Sequence, residues 1–176
     1  MAYLLVHTLA SPAKEAIQAV IDDLMDRYEI FDMSGIDPHI TLKYYFPEQY
    51  LPVVESICEE VAKKHTAAPF SISGCDSFTQ SIIFLQVIPS EAMKQLYATL
   101  HDLFLKKNVP LTKDETQGIH FHVTLAQEVG EQFDEVLAYL KTKEFSFDLL
   151  LDTLTILEFD GEKFSAYKRY SLNKEP

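Results

Sequence analysis

Stretches of nearly continuous or alternating apolar residues are interleaved along this chain with stretches whose apolar positions recur at three and four. Tyr3–Leu9 is apolar almost throughout and reads as a first strand. Ser11 offers an N-cap with Pro12 at the first helical position. Ile17, Val20, Ile21, Leu24, Met25 and Tyr28 then give a first amphipathic helix. Pro38–Phe46 is a second strand, and Pro52 opens a second helix with the stripe Val54, Ile57, Cys58 and Val61. Phe70–Cys75 and Ile82–Val87 form a strand pair joined by the polar stretch Asp76–Gln80. Ser90 caps a third helix whose inner face carries Met93, Leu96, Tyr97, Leu100, Leu103 and Phe104, and Asn108-Val109-Pro110 ends it. Ile119–Ala126 is another strand, and Phe133, Val136, Leu137 and Leu140 mark a fourth helix. Phe145–Leu151 and Leu154–Phe159 are strands, and Asp160-Gly161 is a turn leading into Phe164–Leu172.

This order repeats itself. A strand containing a histidine, a helix, then further strands occur once around His39 and again around His122. The pattern predicts an α+β fold with two sheets, or two lobes, facing each other. No low-complexity tract or Pro/Gly-rich linker interrupts it, and 176 residues suit one domain with a full core. Residues 1–176 therefore read as a single domain of two pseudo-symmetric lobes.

Composition narrows the function classes. A hydrophobic fraction of 47% is that of an ordered globular chain, and no apolar run approaches the roughly 18–20 residues that span a bilayer. Met1-Ala-Tyr-Leu-Leu-Val has no basic region before its short apolar run and reads as a strand, not a signal peptide. With two cysteines and no secretory signal, the expected setting is the cytoplasm, with both thiols reduced. The net charge of −12, from 15 basic and 27 acidic residues, disfavours a protein that grips long nucleic-acid backbones. A phosphate-bearing substrate is then small, or enters through a local basic pocket.

The chemistry lies on the two histidine strands. In Asp37-Pro38-His39-Ile40-Thr41-Leu42-Lys43-Tyr44-Tyr45, side chains alternate, so Ile40, Leu42 and Tyr44 face a core while His39, Thr41, Lys43 and Tyr45 face away. In Ile119-His120-Phe121-His122-Val123-Thr124-Leu125-Ala126, His120, His122 and Thr124 share the polar face. His-[Ile/Val]-Thr-Leu thus occurs twice among six histidines. At average residue usage that arises by chance on the order of once in 10⁵ chains. Imidazole has an unperturbed pKa of about 6.5, so one copy can be neutral and the other protonated at cellular pH. The neutral ring can take a proton from an attacking hydroxyl while the imidazolium gives one to a leaving oxygen. Thr41 and Thr124 can hydrogen-bond non-bridging phosphate oxygens, and Lys43 adds one positive charge on that face.

These paired strands resemble those of the two-histidine phosphoesterase superfamily, which includes 2′-5′ RNA ligases and cyclic phosphodiesterases. The likeness rests on His39-Ile-Thr-Leu-Lys43 and His122-Val-Thr-Leu-Ala126 and covers nearly the whole chain in element order. It implies two antiparallel-rich sheets flanking a central cleft, helices outside, and one motif from each lobe. It also implies catalysis by His39 and His122 without metal or cofactor, on 2′,3′-cyclic phosphates or 2′-5′ linkages. The expected partner is a nucleotide or short RNA end bearing phosphate, with the protein monomeric and away from membranes. Where many such proteins carry an arginine three residues after the second threonine, this chain has Gln127. That favours hydrolysis of a small cyclic nucleotide over ligation of long RNA.

Other residues leave alternatives open. His120 is a rim or substrate-binding residue, half of a metal pair with His122, although no further ligand motif accompanies it, or a residue with no role in the site. Tyr45 can stack on a base. His7 could line the cleft, and Lys168-Arg169 could bring local positive charge. The rival to an enzyme is a non-catalytic nucleotide or RNA-end binding module on the same fold.

Overall fold

A computed structural model of the chain describes residues 1–30 and 36–173. The elements run β1 (Ala2–Thr8), α1 (Ala13–Tyr28), β2 (His39–Pro47), α2 (Leu51–Lys64), β3 (Ala68–Phe78) and β4 (Ile82–Pro89). They continue as α3 (Glu91–Lys106), α4 (Lys113–Gln117), β5 (His122–Ala126), α5 (Phe133–Lys141), β6 (Ser146–Leu151), β7 (Thr153–Phe159) and β8 (Phe164–Ser171). The strands form two four-stranded antiparallel sheets, ordered β2-β1-β7-β8 and β5-β4-β3-β6. The α+β class and the two antiparallel sheets agree with the expectation. In each sheet the strand that opens with a motif histidine lies at an edge, next to the strand that precedes it in the chain.

β1 is apolar from Ala2 to Val6 because both its faces are covered there. Tyr3 and Leu5 join the large core, while Leu4 and Val6 form a smaller cluster with Leu157 on the opposite face. The large core is continuous through both sheets and the helices, from Leu5 and Ile17 through Ile57 and Leu100 to Val123 and Ile156. Each such fully buried aliphatic side chain stabilises the fold by roughly 1.5–3 kcal/mol relative to exposure. The α2 stripe of Val54, Ile57, Cys58 and Val61 is wholly buried, as are Met93, Leu96, Leu100 and Phe104 of α3.

Ser90 caps α3 as expected, its hydroxyl accepting from the Met93 amide at 3.2 Å. Ser11 does not cap α1. The Ala10 carbonyl accepts from the Lys14 amide at 3.1 Å, which removes the donor a capping hydroxyl needs, and Pro12 becomes the N-cap. The Ser11 hydroxyl turns to the Glu15 carboxylate instead. The strand expected over Ile119–Ala126 begins only at His122. α4 occupies the chain up to Gln117, and Gly118 (φ +100°) turns the backbone out of it, so residues 119–121 only lead back to the sheet edge.

Candidate active site

Ile40, Leu42, Val123 and Leu125 are buried, which leaves the alternate residues of β2 and β5 to face outwards from the core. The two edge strands come together so that His39, Thr41, His122 and Thr124 line one cavity of about 220 Å³. The same geometry recurs on both rings. His39 Nδ1 lies 2.9 Å from the Asp37 carbonyl oxygen, and His122 Nδ1 lies 2.7 Å from the His120 carbonyl oxygen. A carbonyl can only accept, so each Nδ1 carries the proton and donates it. Each ring is thereby fixed in one tautomer and orientation, with Nε2 as its free nitrogen.

Burial pushes the pKa of His39 below the ordinary value. The hydrogen bond to Asp37 opposes this, and charge on His122 adds to it. Burial likewise lowers His122, with its hydrogen bond to the His120 carbonyl opposing and the neighbouring His120 charge reinforcing. The desolvation of His122 has a visible source: Phe78 and Phe84 stand edge-on to its ring at centroid distances of 5.0 and 5.3 Å.

Lys43 is not in the cleft. Its pairing with β1 slips twice, between Tyr3 and Leu5 and between Leu5 and Val6, so β2 carries extra residues there. Such bulges break the alternation of faces. Lys43 is turned inwards, fully buried, with Nζ 2.9 Å from Glu115 Oε2. Tyr44, expected in the core, lines the cavity instead. Glu115 is the residue the sequence reading missed. Its Oε1 accepts from the Tyr44 amide at 2.9 Å and its Oε2 from the Thr112 amide at 2.6 Å, while Thr112 Oγ1 accepts from the Glu115 amide. Thr112-Lys-Asp-Glu115 is a capping box, a Thr-x-x-Glu signature legible in the sequence.

The remaining candidates separate. Tyr45 is half-exposed at the cavity, its ring 6.0 Å from Phe164. His120 is exposed and does not line the cavity; its ring packs against Phe78 and Phe84, and its backbone carbonyl orients His122. Among the described residues no three His, Cys, Asp or Glu side chains converge as a metal-ligand set. His7 is buried in the core, with Nδ1 donating to the Thr153 carbonyl at 3.1 Å. Lys168 is taken by Glu55 and Glu59. Gln127 lines the cavity wall. No helix among the described residues is long and apolar enough to cross a membrane.

A protein of Geobacillus kaustophilus, provisionally named a phosphoesterase, is 26% identical over 146 residues, covering 77% of this chain and 78% of the relative. Escherichia coli LigT in its apo form shares the fold with a TM-score of 0.71 at 12% identity, over 99% of both chains. TT0787 of Thermus thermophilus does so with a TM-score of 0.68 at 14% identity, over 100% of both. The profile of the 2′-5′ RNA ligase superfamily matches residues 9–163, a span that contains both histidine motifs and every strand from β2 up to the start of β8. The chain belongs to the 2′-5′ RNA ligase superfamily.

Proposed function

We propose that the protein is a metal-independent phosphoesterase that opens 2′,3′-cyclic nucleotide phosphates or cleaves 2′-5′ phosphodiester bonds. The observation that carries this reading is the pair of imidazoles with Nδ1 committed to backbone carbonyls and Nε2 free, on one cavity with Thr41 and Thr124. In hydrolysis of a cyclic phosphate, the neutral histidine takes a proton from water through Nε2 as the water oxygen bonds to phosphorus. The protonated histidine gives its Nε2 proton to the ribose oxygen whose bond to phosphorus breaks. The threonine hydroxyls donate to the non-bridging oxygens as charge grows on them. Either ring can take either role, because ligation runs the two proton transfers in reverse. Nucleotide-sized ligands fit the acidic chain better than long RNA, and Escherichia coli LigT has been solved with 3′-AMP and with ATP.

The reading is tested by incubating the protein with the four 2′,3′-cyclic mononucleotides and a 2′-5′ dinucleotide and identifying products by chromatography. One phosphate isomer from at least one substrate is expected. Binding without any product would make the protein a nucleotide-binding module.

The pH profile is a second expectation. Both histidine pKa values lie below 6.5 in the free protein. The singly protonated pair is therefore most populated on the acid side of pH 6.5. The kcat/KM profile, which reports the free enzyme, should be bell-shaped with its maximum there, and both limbs belong to the coupled pair. Activity falls below the maximum as the base is protonated and above it as the acid is lost. A rate that climbs steadily to pH 9 would contradict the mechanism.

A further inference from the structure

The C-terminal pair Lys168-Arg169 is split by the alternation of β8. Lys168 turns to Glu55 and Glu59 on α2, which leaves Arg169 on the other face. The sheet register says which face that is. Thr41 pairs with Val6, Val6 with Thr155, and Thr155 with Arg169. Directly opposed residues on neighbouring strands present their side chains to the same face, so Arg169 stands on the face that carries the catalytic-strand threonine, three strands away. There it lines a cavity of about 110 Å³ together with Thr8 and Ser165. Ile36 and Asp37 line both this cavity and the one between the histidines, so the two adjoin. Among the described residues Arg169 forms no ion pair, and the carboxylate that shares its cavity, Asp37, is held by Lys14 at 2.8 Å.

Building on the phosphoesterase reading above, we propose that Arg169, with the Thr8 and Ser165 hydroxyls, forms an anion subsite for a second phosphate of the substrate. That phosphate is the 5′-phosphate of the same nucleotide whose 2′,3′-cyclic phosphate lies between the histidines. Three strand spacings put Thr41 and Arg169 about 14 Å apart along the sheet. An extended arginine side chain can cover at most about 6–7 Å of that, from its bond lengths, and less where it stands away from the sheet. The guanidinium therefore stops several ångströms short of a phosphate bonded to Thr41, and it serves a second anionic group instead. Two phosphates flanking one ribose bridge such a gap. The planar guanidinium suits phosphate, which it can bind through two parallel N–H···O bonds. A subsite of this kind also supplies the positive charge that Gln127 and the buried Lys43 do not bring to the main cavity.

The test compares kcat/KM for 2′,3′-cyclic AMP with and without a 5′-phosphate, in the native protein and in Arg169→Gln. The native protein should prefer the 5′-phosphorylated substrate by roughly 10–100-fold, the worth of a charge-assisted hydrogen-bonded pair. In Arg169→Gln the ratio should fall to near one. No preference in the native protein, or a preference that survives in Arg169→Gln, overturns the subsite while leaving the hydrolysis reading intact. If neither substrate is turned over, the hydrolysis reading fails and calorimetry decides the subsite. At least roughly tenfold tighter binding of adenosine 3′,5′-bisphosphate than of 3′-AMP, lost in Arg169→Gln, supports it; equal affinities overturn it.

Discussion

Alanine at His39 or at His122 should lower turnover of a 2′,3′-cyclic nucleotide by at least roughly 10²-fold, the lower range for loss of a general acid or base. Each ring contributes its free Nε2 to one cavity, and each is held by a single hydrogen bond to a backbone carbonyl two residues earlier in the chain. With one ring gone, the proton transfer it performs falls to water, and the other transfer no longer proceeds in concert with it. The double variant should be little slower than the slower single variant, because residues that act as a unit lose their effect together. Neither single variant should unfold the protein: both side chains are only partly buried by area, and neither belongs to the apolar clusters. Steady-state rates and a thermal melt on each variant check both halves of this. Variants that melt far below the native protein, or that keep full activity, would show that the histidines serve packing.

The largest effect on stability should come from separating Lys43 and Glu115. Both are almost completely buried, and the Glu115 carboxylate also satisfies the amides of Tyr44 and Thr112. Glu115→Ala leaves an ammonium group in the interior without its counter-charge and removes half of the capping box of α4. Loss of one partner of a buried ion pair costs about 3–5 kcal/mol. That is a large share of the roughly 5–15 kcal/mol that holds a domain folded. Lys43→Met combined with Glu115→Leu should recover much of the loss, because the desolvation cost of both charges disappears with them. Urea unfolding of the two variants measures the difference. A loss below about 1 kcal/mol in Glu115→Ala would mean that water reaches the pair, as it does at surface ion pairs.

These two expectations mark where the sequence could be read and where it could not. The helix stripes of α2 and α3 and the Ser90 cap are local patterns, set by spacing and by one side chain reaching one backbone amide, and they appear in the fold as expected. The motif histidines and threonines are likewise brought to one cavity, since a regular alternation over His39–Leu42 and over His122–Leu125 needs no bulge. Lys43 went wrong one step further along the same strand. The register slips against β1 are a property of two strands together, and nothing within β2 announces them. Tyr44 and Lys43 exchanged places for that reason. Glu115 was missed although its capping box is written plainly, because Lys113–Gln117 holds no apolar residue and so shows no helical stripe to be recognised. The assignment of β7 and β8 to the sheet of β1, with β6 joining β3, depends on long-range pairing that hairpin signals do not encode. That pairing is also what places Arg169 on the face of Thr41.

The two histidines are expected to act on a phosphate by proton transfer alone. The most direct measurement is the rate of 2′,3′-cyclic AMP hydrolysis by protein dialysed against a strong chelator, taken before and after zinc, magnesium or manganese is returned. Full activity in chelator, unchanged by any added metal, is the predicted result. Activity that vanishes in chelator and returns with one of the metals would contradict it, and would make a metal-bound hydroxide the nucleophile.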